Sequence, residues 1–207
     1  MSWKEWALAL LDEQEEPTPL VEFPAGGSVT VLMKDESVHP TGTMRHRHAR
    51  ALFRQAIAEG LVTEGTTVVE ATGGNAAVAQ AWFARRLGLP YVVVMPGQRS
   101  EERARRVEEL GGECRFVTPP LAIYEAAREI EGIGRPRVEP GFRGDLVDRV
   151  IPVPDEESRA AARRIAEVTG HPVGDASGTA LVAGLRLAER VKGGLIVTVI
   201  GGIPASR

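Results

Sequence analysis

Three short runs typical of strands alternate with two stretches typical of helices in the middle of the chain, and this alternation limits the possible folds more than any other feature. The runs are 67–71, 91–95 and 113–117, and the stretches between them are 75–87 and 100–110. The middle run is almost continuously apolar, as expected of a strand that is covered on both faces. A strand–helix–strand–helix–strand order with short connections predicts a parallel sheet with right-handed crossovers. The chain is therefore expected to adopt an α/β fold.

The flanking segments predict further helices and strands. Before the alternation we expect a helix in the first 14 residues, a hairpin with strands over 20–23 and 29–33, and a helix that Thr43 caps and that runs to Glu59. After the alternation, the pattern predicts a helix over 121–131, a Gly-, Pro- and Arg-rich linker over 132–144 and a strand over 146–153. Two helices follow, one over 155–169 and one over 177–191 that Ser177 caps, and the last element is a strand over 195–200.

The composition fits a single α/β unit over residues 1–207. Hydrophobic residues make up 43% and charged residues 26% of the chain, which excludes a disordered or coiled-coil protein. With a net charge of −3 and no aromatic stacking platform beside the arginines of 45–54, we expect no nucleic-acid partner. A single cysteine, Cys114, excludes an internal disulfide and predicts a cytoplasmic location. The charged residues near Met1 do not fit a signal peptide, and no apolar run reaches the roughly 20 residues of a membrane span.

Several short motifs occur along the chain in a fixed order. They are Pro17–Val21, Lys34–Glu36, Pro40–Thr43, Glu70–Asn75, Met95–Pro96, Leu110–Glu113, Pro154–Glu157 and Gly174–Gly178. In this order they resemble the motifs of the cysteine synthase and cystathionine β-synthase family. Members of that family are fold-type II enzymes that use pyridoxal phosphate (PLP).

The resemblance implies a parallel twisted sheet of the tryptophan synthase β-like type with a reduced second domain. Residues 38–118 would form the N-terminal-type βαβ subdomain, and residues 1–37 together with 145–207 would form the remnant of the second subdomain. The resemblance also implies a homodimer. The last helix has small residues that indicate close helix packing and that could also serve such an interface: Gly178, Ala180, Ala183, Gly184 and Ala188.

The chain departs from the family's PLP-binding pattern at three places. Arg45 stands where the resemblance places the Schiff-base lysine, and a guanidinium stays protonated and cannot form an imine. The sequence lacks the Gly/Thr-rich loop that holds the cofactor phosphate in the family. Ala176, next to Asp175, stands where a serine beside the pyridine nitrogen is usual. We therefore expect neither PLP nor another cofactor, and Lys34, which is not the Schiff-base residue in the family, is not expected to replace the missing amine.

The strongest candidate for a ligand site is a four-residue turn between a predicted strand and a predicted helix: Thr72, Gly73, Gly74 and Asn75. The N-terminus of a helix offers unpaired N–H groups and a positive partial charge. In the family this loop binds the substrate carboxylate, so the resemblance implies a small carboxylate or amino-acid-like ligand. Arg45 is expected to face the turn and complete the site, because arginine binds carboxylates in a fork. The alternative is a turn that needs glycine for packing alone.

Two histidines near Arg45 are candidate acid/base groups. His39 lies in a loop and His46 in a predicted helix, and imidazole is the side chain that titrates near neutral pH. His46 and His48 are two positions apart, so they point to different faces of a helix and no metal site is expected. The remaining candidates are Thr43 and Ser177 as ligand contacts and His171 as a group near the same site.

Three functions remain open on these observations. The first is a cysteine synthase-like protein that binds its ligand without PLP. As an enzyme it would be a lyase or transferase in which Arg45 stabilises charge and His39 or His46 transfers a proton. The second is a catalytically inactive pseudoenzyme that regulates or scaffolds a partner such as a full-length family member. The third is residual PLP-dependent cysteine synthase or β-synthase activity.

Overall fold

The computed structural model describes residues 1–117 and 149–204. The described residues form two compact units, one of residues 1–17 and 38–117 and the other of residues 18–37 and 149–204. The helix predicted over 121–131, the linker over 132–144 and the first part of the strand over 146–153 lie outside the described residues. None of the described helices is long and apolar enough to span a bilayer.

The helices and strands follow the predicted order closely. In chain order they are α1 (Trp3–Asp12), β1 (Leu20–Phe23), β2 (Val29–Asp35), a 3₁₀ turn (Glu36–Val38), α2 (Arg45–Ala58), β3 (Val68–Ala71), α3 (Gly74–Arg86), β4 (Tyr91–Pro96), α4 (Glu101–Glu108), β5 (Glu113–Val117), α5 (Asp155–Thr169), α6 (Asp175–Ala188) and β6 (Gly194–Ile200).

The first unit contains the predicted α/β alternation. Its sheet has the order β3-β4-β5, and both strand pairs are parallel. The core residues come from α2, α3 and β4, among them Phe53, Phe83 and Val93. Helix α1 also packs into this core through the fully buried Ala7 and Leu11. Residues 1–17 therefore lie in the first unit, whereas residues 1–37 were expected in the second subdomain.

The second unit is built on a three-stranded mixed sheet of order β1-β2-β6. The predicted hairpin is present, because β1 and β2 pair antiparallel, and β6 pairs with β2 in parallel. The buried side chains of this sheet contact α5 and α6, and the core includes Phe23, Met33, Ile165, Leu181 and Ile200. A mixed sheet with helices is consistent with the expected α/β class.

Helices α5 and α6 pack unusually closely at Gly178. A Cβ atom at this position would lie 1.9 Å from the carbonyl oxygen of Ser158 in α5. A Cβ at Gly184 would instead lie 3.5 Å from the side chain of Ile196 in β6, which is ordinary contact. These two glycines therefore contribute to packing inside the unit, as the close helix packing expected of this helix requires.

Ser100 caps α4, because its hydroxyl accepts the N–H of Arg103. The two residues predicted as helix caps, Ser177 and Thr43, lie at other positions. Helix α6 begins two residues before Ser177, which leaves this serine in the first turn, where its Oγ accepts the N–H of Gly201 at 3.1 Å. Thr43 precedes the cap residue of α2, and its Oγ1 accepts the N–H of Arg45 at 3.2 Å.

The strand predicted over 146–153 is not formed by its described part. Residues 149–153 pair with no other described strand. Pro152 has no N–H to donate to a ladder, and Pro154 follows two positions later. The apolar residues Val150, Ile151 and Val153 explain the prediction, but the prolines explain the outcome.

Candidate functional site

The turn between β3 and α3 has the backbone geometry of a loop that exposes N–H groups. Gly73 is extended (φ −155°), and Gly74 has φ +54°, in the left-handed region that favours glycine. Helix α3 begins at Gly74, so the first N–H groups of a 13-residue helix lie at this turn. These groups have no partner within the helix itself. The turn therefore has the geometry expected of an anion-binding loop.

Arg106 of α4 reaches the turn and ties it to the preceding motif. Its Nη1 donates to Oδ1 of Asn75 at 3.2 Å, and its Nη2 donates to the carbonyl oxygen of Thr41 at 3.3 Å. Because a guanidinium can only donate, the oxygen of the Asn75 amide must face Arg106. The amide nitrogen, a donor, then faces the other way.

Arg103 is the second cation of α4 at this turn. Its Nη2 lies 3.4 Å from the position that a Cβ on Gly73 would occupy. The guanidinium carbon lies 5.7 Å from the centre of the Phe116 ring, within the range of a cation–π contact. Two half-buried guanidinium groups and a helix N-terminus thus give this turn a positive character.

Arg103 and Arg106 were not predicted at the turn, where Arg45 was expected. Arg45 is the first residue of α2 and is exposed. Both were missed because α4 is so highly charged that it resembles a solvated helix. Their spacing of three residues places them on one side of α4. This spacing could have indicated from the sequence that both arginines reach the same place.

His39 and His46 are buried, in contrast to acid/base groups that face an open cleft. His46 has no exposed surface and His39 is 7% exposed. The Nε2 of His46 donates to Oε1 of Glu15 at 2.8 Å, so the neutral ring accepts the hydroxyl of Thr41 at Nδ1, at 3.2 Å. Burial lowers the pKa of His46, and the hydrogen bond to Glu15 partly opposes that shift. The reason for the burial is that His46 continues the inner face of α2, formed by Ala49, Phe53 and Ile57.

Glu15, His39 and His46 bring three potential metal ligands within 4.8 Å of one another. The two imidazole rings stack, however, with centroids 4.7 Å apart and planes inclined by 12°. Imidazole lone pairs lie in the ring plane, so those of two stacked rings do not converge on one ion. In addition, the cation of Arg50 lies 3.5 Å from Oε2 of Glu15. The geometry therefore favours a hydrogen-bonded cluster over a metal site.

Three further residues considered from the sequence make contacts within their own units. His171 belongs to the second unit, where its Nε2 lies 2.8 Å from Oγ of Ser37 and 3.5 Å from Oδ2 of Asp35. Lys34, in the same unit, donates its amine to the carbonyl of Thr18. Cys114 is half-buried in β5, and burial raises the pKa of its thiol. A thiol in this setting is a weak nucleophile.

Comparison with known proteins identifies the family. The family model described as "Pyridoxal-phosphate dependent enzyme" matches residues 11–135, which is more than half of the chain. Among curated proteins, L-cysteine desulfhydrase Cds1 of Mycobacterium tuberculosis is 29% identical over 304 residues, covering 93% of this chain and 83% of that protein. That alignment is longer than the 207 residues of this chain, so it must open large gaps in it.

Other curated relatives match a smaller part. The cysteine synthase of Aquifex aeolicus is 32% identical over 149 residues, which cover 61% of this chain and 45% of that enzyme. This chain thus spans less than half the length of several of the curated relatives it matches.

Solved structures of two such enzymes share the fold. The structure of an O-ureido-L-serine synthase has a TM-score of 0.81 at 19% identity, covering 95% of this chain and 91% of that one. The O-acetylserine dependent cystathionine β-synthase of Helicobacter pylori has a TM-score of 0.80 at 20% identity, with 94% of each chain covered. The expected fold-type II architecture is therefore confirmed. The motifs, the family match and the fold together establish that this chain belongs to the cysteine synthase branch of the pyridoxal-phosphate dependent enzyme family.

Proposed function

We propose that this chain has lost PLP binding and binds a small carboxylate or amino-acid-like ligand at the turn formed by Thr72, Gly73, Gly74 and Asn75. The observation that supports this most directly is the position of Arg106, which holds the Asn75 amide at the N-terminus of α3. The Asn75 amide nitrogen and the N–H groups of the first turn supply donors, and Arg103 and Arg106 supply positive charge. Donors and positive charge of this kind are what a carboxylate requires.

The residues present do not fit PLP in the way that the family holds it. The side chain at the position of the Schiff-base lysine is the guanidinium of Arg45, which cannot form an imine. The chain has three lysines, Lys4, Lys34 and Lys192. Lys4 donates a hydrogen bond to the carbonyl of Ala58 at 2.8 Å, and Lys34 donates one to the carbonyl of Thr18. Ala176 offers no hydroxyl for a pyridine nitrogen. Binding of a ligand without the cofactor is therefore favoured over residual PLP-dependent activity.

We assign binding, and no chemical step, to this turn. His39 and His46, the candidate acid/base groups, are buried and hydrogen-bonded or stacked within their own cluster. A PLP-independent lyase or transferase would need an acid/base group at the ligand, and these two histidines do not supply it in this conformation. Arg45, the first residue of α2, and Thr43, which is buried just before that helix, stay as predicted ligand contacts.

A second candidate is a pseudoenzyme that acts through a partner such as a full-length family member. The replacement of the Schiff-base lysine by Arg45 in a chain that keeps the fold supports this function. Under it, the turn would serve as a sensor of a metabolite and not as a catalytic site.

Isothermal titration tests the ligand site. The chain is titrated with amino acids, dicarboxylates and inorganic phosphate, and with Arg106→Ala and Arg105→Ala as paired variants. Arg105 is a matched control, because it lies on the same helix but is exposed and pairs only weakly with Glu109, at 3.9 Å. We expect a carboxylate to bind the wild type and Arg105→Ala with equal affinity. We expect Arg106→Ala to bind it at least about tenfold more weakly, because this variant loses a positive charge at the turn and the charge-assisted hydrogen bond to Asn75. A hydrogen bond of this kind is worth about 1.5–3 kcal/mol.

Two outcomes would count against the proposal. If no carboxylate in the panel releases or absorbs heat on binding, the turn is a packing element alone. If a carboxylate binds but both arginine variants bind it as the wild type does, the ligand lies elsewhere.

A further inference from the structure

A continuous path of hydrogen bonds leads from Glu15 to the candidate ligand site within the first unit. The Nε2 of His46 donates to Glu15, and its Nδ1 accepts the hydroxyl of Thr41 at 3.2 Å. The carbonyl oxygen of Thr41 accepts Nη2 of Arg106 at 3.3 Å, and Nη1 of the same guanidinium donates to the amide of Asn75 at 3.2 Å. All these residues belong to the first unit. Thr41 therefore joins two halves of the path, one through its side chain and one through its backbone.

The beginning of this path is energetically costly, so packing alone does not account for it. His46 is fully buried, and its ring lies 4.9 Å from the ring of Trp82 and 4.7 Å from that of Phe83, between centroids. An aliphatic side chain would fill this place without removing a polar ring from water. The Oε2 atom of Glu15 is also buried and has no hydrogen-bond partner among the described residues. A role beyond filling the core is therefore worth seeking for this pair.

The proton on the ring of His46 gives the path its direction. Burial lowers the pKa of His46, so the ring is neutral near neutral pH and carries one proton. The carboxylate of Glu15 can only accept, so it holds that proton on Nε2 and leaves Nδ1 as an acceptor for the Thr41 hydroxyl. Thr41 is 4% exposed, so solvent does not readily replace its hydrogen bonds. The orientation of Thr41 is thus fixed from the side of His46.

We infer that His46 and Thr41 are positioning residues that set Arg106 and Asn75 for the ligand, an inference that rests on the proposed function. His46 fixes the hydroxyl of Thr41, and Thr41 then presents its carbonyl oxygen to Arg106. The guanidinium, held at this oxygen, turns the Asn75 amide so that its donor end meets the carboxylate. Groups that are held in place before binding lose less freedom when the ligand arrives, which raises affinity.

Titration calorimetry of Thr41→Val with L-serine and succinate as probes tests this role. Valine keeps the shape of threonine and the backbone carbonyl, but it offers no hydroxyl to His46. We expect affinity to fall about two- to tenfold, as for the loss of one neutral hydrogen bond. Thr41→Ser keeps the hydroxyl and should bind the probes as the wild type does. Urea denaturation of both variants checks that they are folded during the titration.

Thr18→Val is the matched control. Thr18 is 4% exposed, as Thr41 is, and its hydroxyl donates to Oε1 of Glu36 at 2.6 Å in the second unit. The substitution removes a buried threonine hydrogen bond of the same kind outside the path. It should leave the affinity for both probes unchanged.

A double-mutant cycle shows whether the effect passes through Arg106. In Arg106→Ala no guanidinium remains for the carbonyl of Thr41 to hold. Adding Thr41→Val to Arg106→Ala should therefore lower affinity by less than about twofold. An equal loss in both backgrounds overturns the inference, and so does wild-type affinity in the single variant Thr41→Val.

Nuclear magnetic resonance of the ligand-free chain separates failure of the path from failure of the proposed function. The side-chain amide signals of Asn75 should shift in Thr41→Val and stay in place in Thr18→Val. If they shift but the wild type binds no carboxylate, the path stands and the proposed function fails. If the wild type binds a probe but the Asn75 signals do not respond to Thr41→Val, the inference fails and the proposed function stands.

Discussion

Arg106 and Asn75 are joined by a hydrogen bond of 3.2 Å from Nη1 to Oδ1, and the same guanidinium reaches the carbonyl of Thr41 at 3.3 Å. One side chain of α4 therefore links two motifs that lie far apart in the sequence. It also fixes which end of the Asn75 amide faces the turn. The polarity of the candidate site thus depends on a residue outside both motifs.

Asn75→Asp should separate stability from binding. A carboxylate in the first turn of α3 interacts favourably with the helix N-terminus and with Arg106, so we expect the free energy of unfolding to rise by about 0.3–1 kcal/mol. The added negative charge repels an anionic ligand, so carboxylate binding should be lost. Urea denaturation and titration calorimetry measure the two effects. Gln55→Glu adds the same charge at an exposed position of α2 and should leave carboxylate binding intact. Loss of carboxylate binding in both variants would argue against a ligand site at the turn.

The buried His46 should make the protein less stable in mild acid. Its pKa is lowered in the folded state because burial disfavours the charged ring. The unfolded chain therefore takes up a proton below the ordinary histidine pKa of about 6.5, while the folded chain does not. Stability should be constant above that value and should fall by up to about 1.4 kcal/mol per pH unit below it, until the folded pKa is reached.

Urea denaturation at about pH 7.5 and about pH 5.5 measures this slope. His46→Gln should flatten the slope, whatever its effect on stability at neutral pH. His48→Gln serves as the control, because His48 lies two residues away on the exposed side of α2 and should not alter the slope. Equal slopes in the wild type and in His46→Gln would show that another group titrates.

Two glycines of α6 should respond in opposite directions to the same substitution. Gly178→Ala places a methyl group 1.9 Å from a backbone oxygen of α5, which the structure can relieve only by moving a helix. We expect a loss of about 3 kcal/mol, the upper part of the range for overpacking. Gly184→Ala meets only ordinary contact and should gain up to about 1 kcal/mol through helix propensity. Thermal unfolding of the two variants checks the difference, and a mild effect at Gly178 would mean that α5 and α6 are less tightly fixed.

Incubation with PLP should produce no Schiff-base absorption band near the visible edge. Arg45 cannot form an imine, and the amine of Lys34 donates a hydrogen bond to the carbonyl of Thr18. Absorption spectra before and after borohydride reduction make the measurement. A band in the wild type that disappears in Lys34→Arg would establish Lys34 as a substitute for the missing lysine and would contradict loss of the cofactor.

The fold was largely predictable because its signals are local. Strand β5 and helix α5 have the predicted boundaries, since glycines or an acidic first turn mark their ends. The placement of residues 1–17 was not predictable, because Ala7 and Leu11 contact a core whose other residues are far away in the sequence. Proximity of that kind depends on tertiary packing, which composition and periodicity do not encode.

The candidate site was predictable in part. The turn at Gly73 and Gly74 follows from the motif and from its position between a strand and a helix. The positively charged residues of the site could not be predicted from the sequence. Arg106 is one of several arginines on α4, and only the packing of that helix brings it to the turn. The burial of His46 could have been predicted from its helical spacing with Ala49 and Phe53. The charged residues around it in the sequence indicated an exposed helix face instead.

The half-buried thiol of Cys114 has a practical consequence for experiments on this chain. Burial raises the pKa of the thiol, which lowers its thiolate fraction at neutral pH. It is also the only cysteine in the sequence. A cysteine introduced at an exposed position should therefore react faster with a thiol-directed label than Cys114 does.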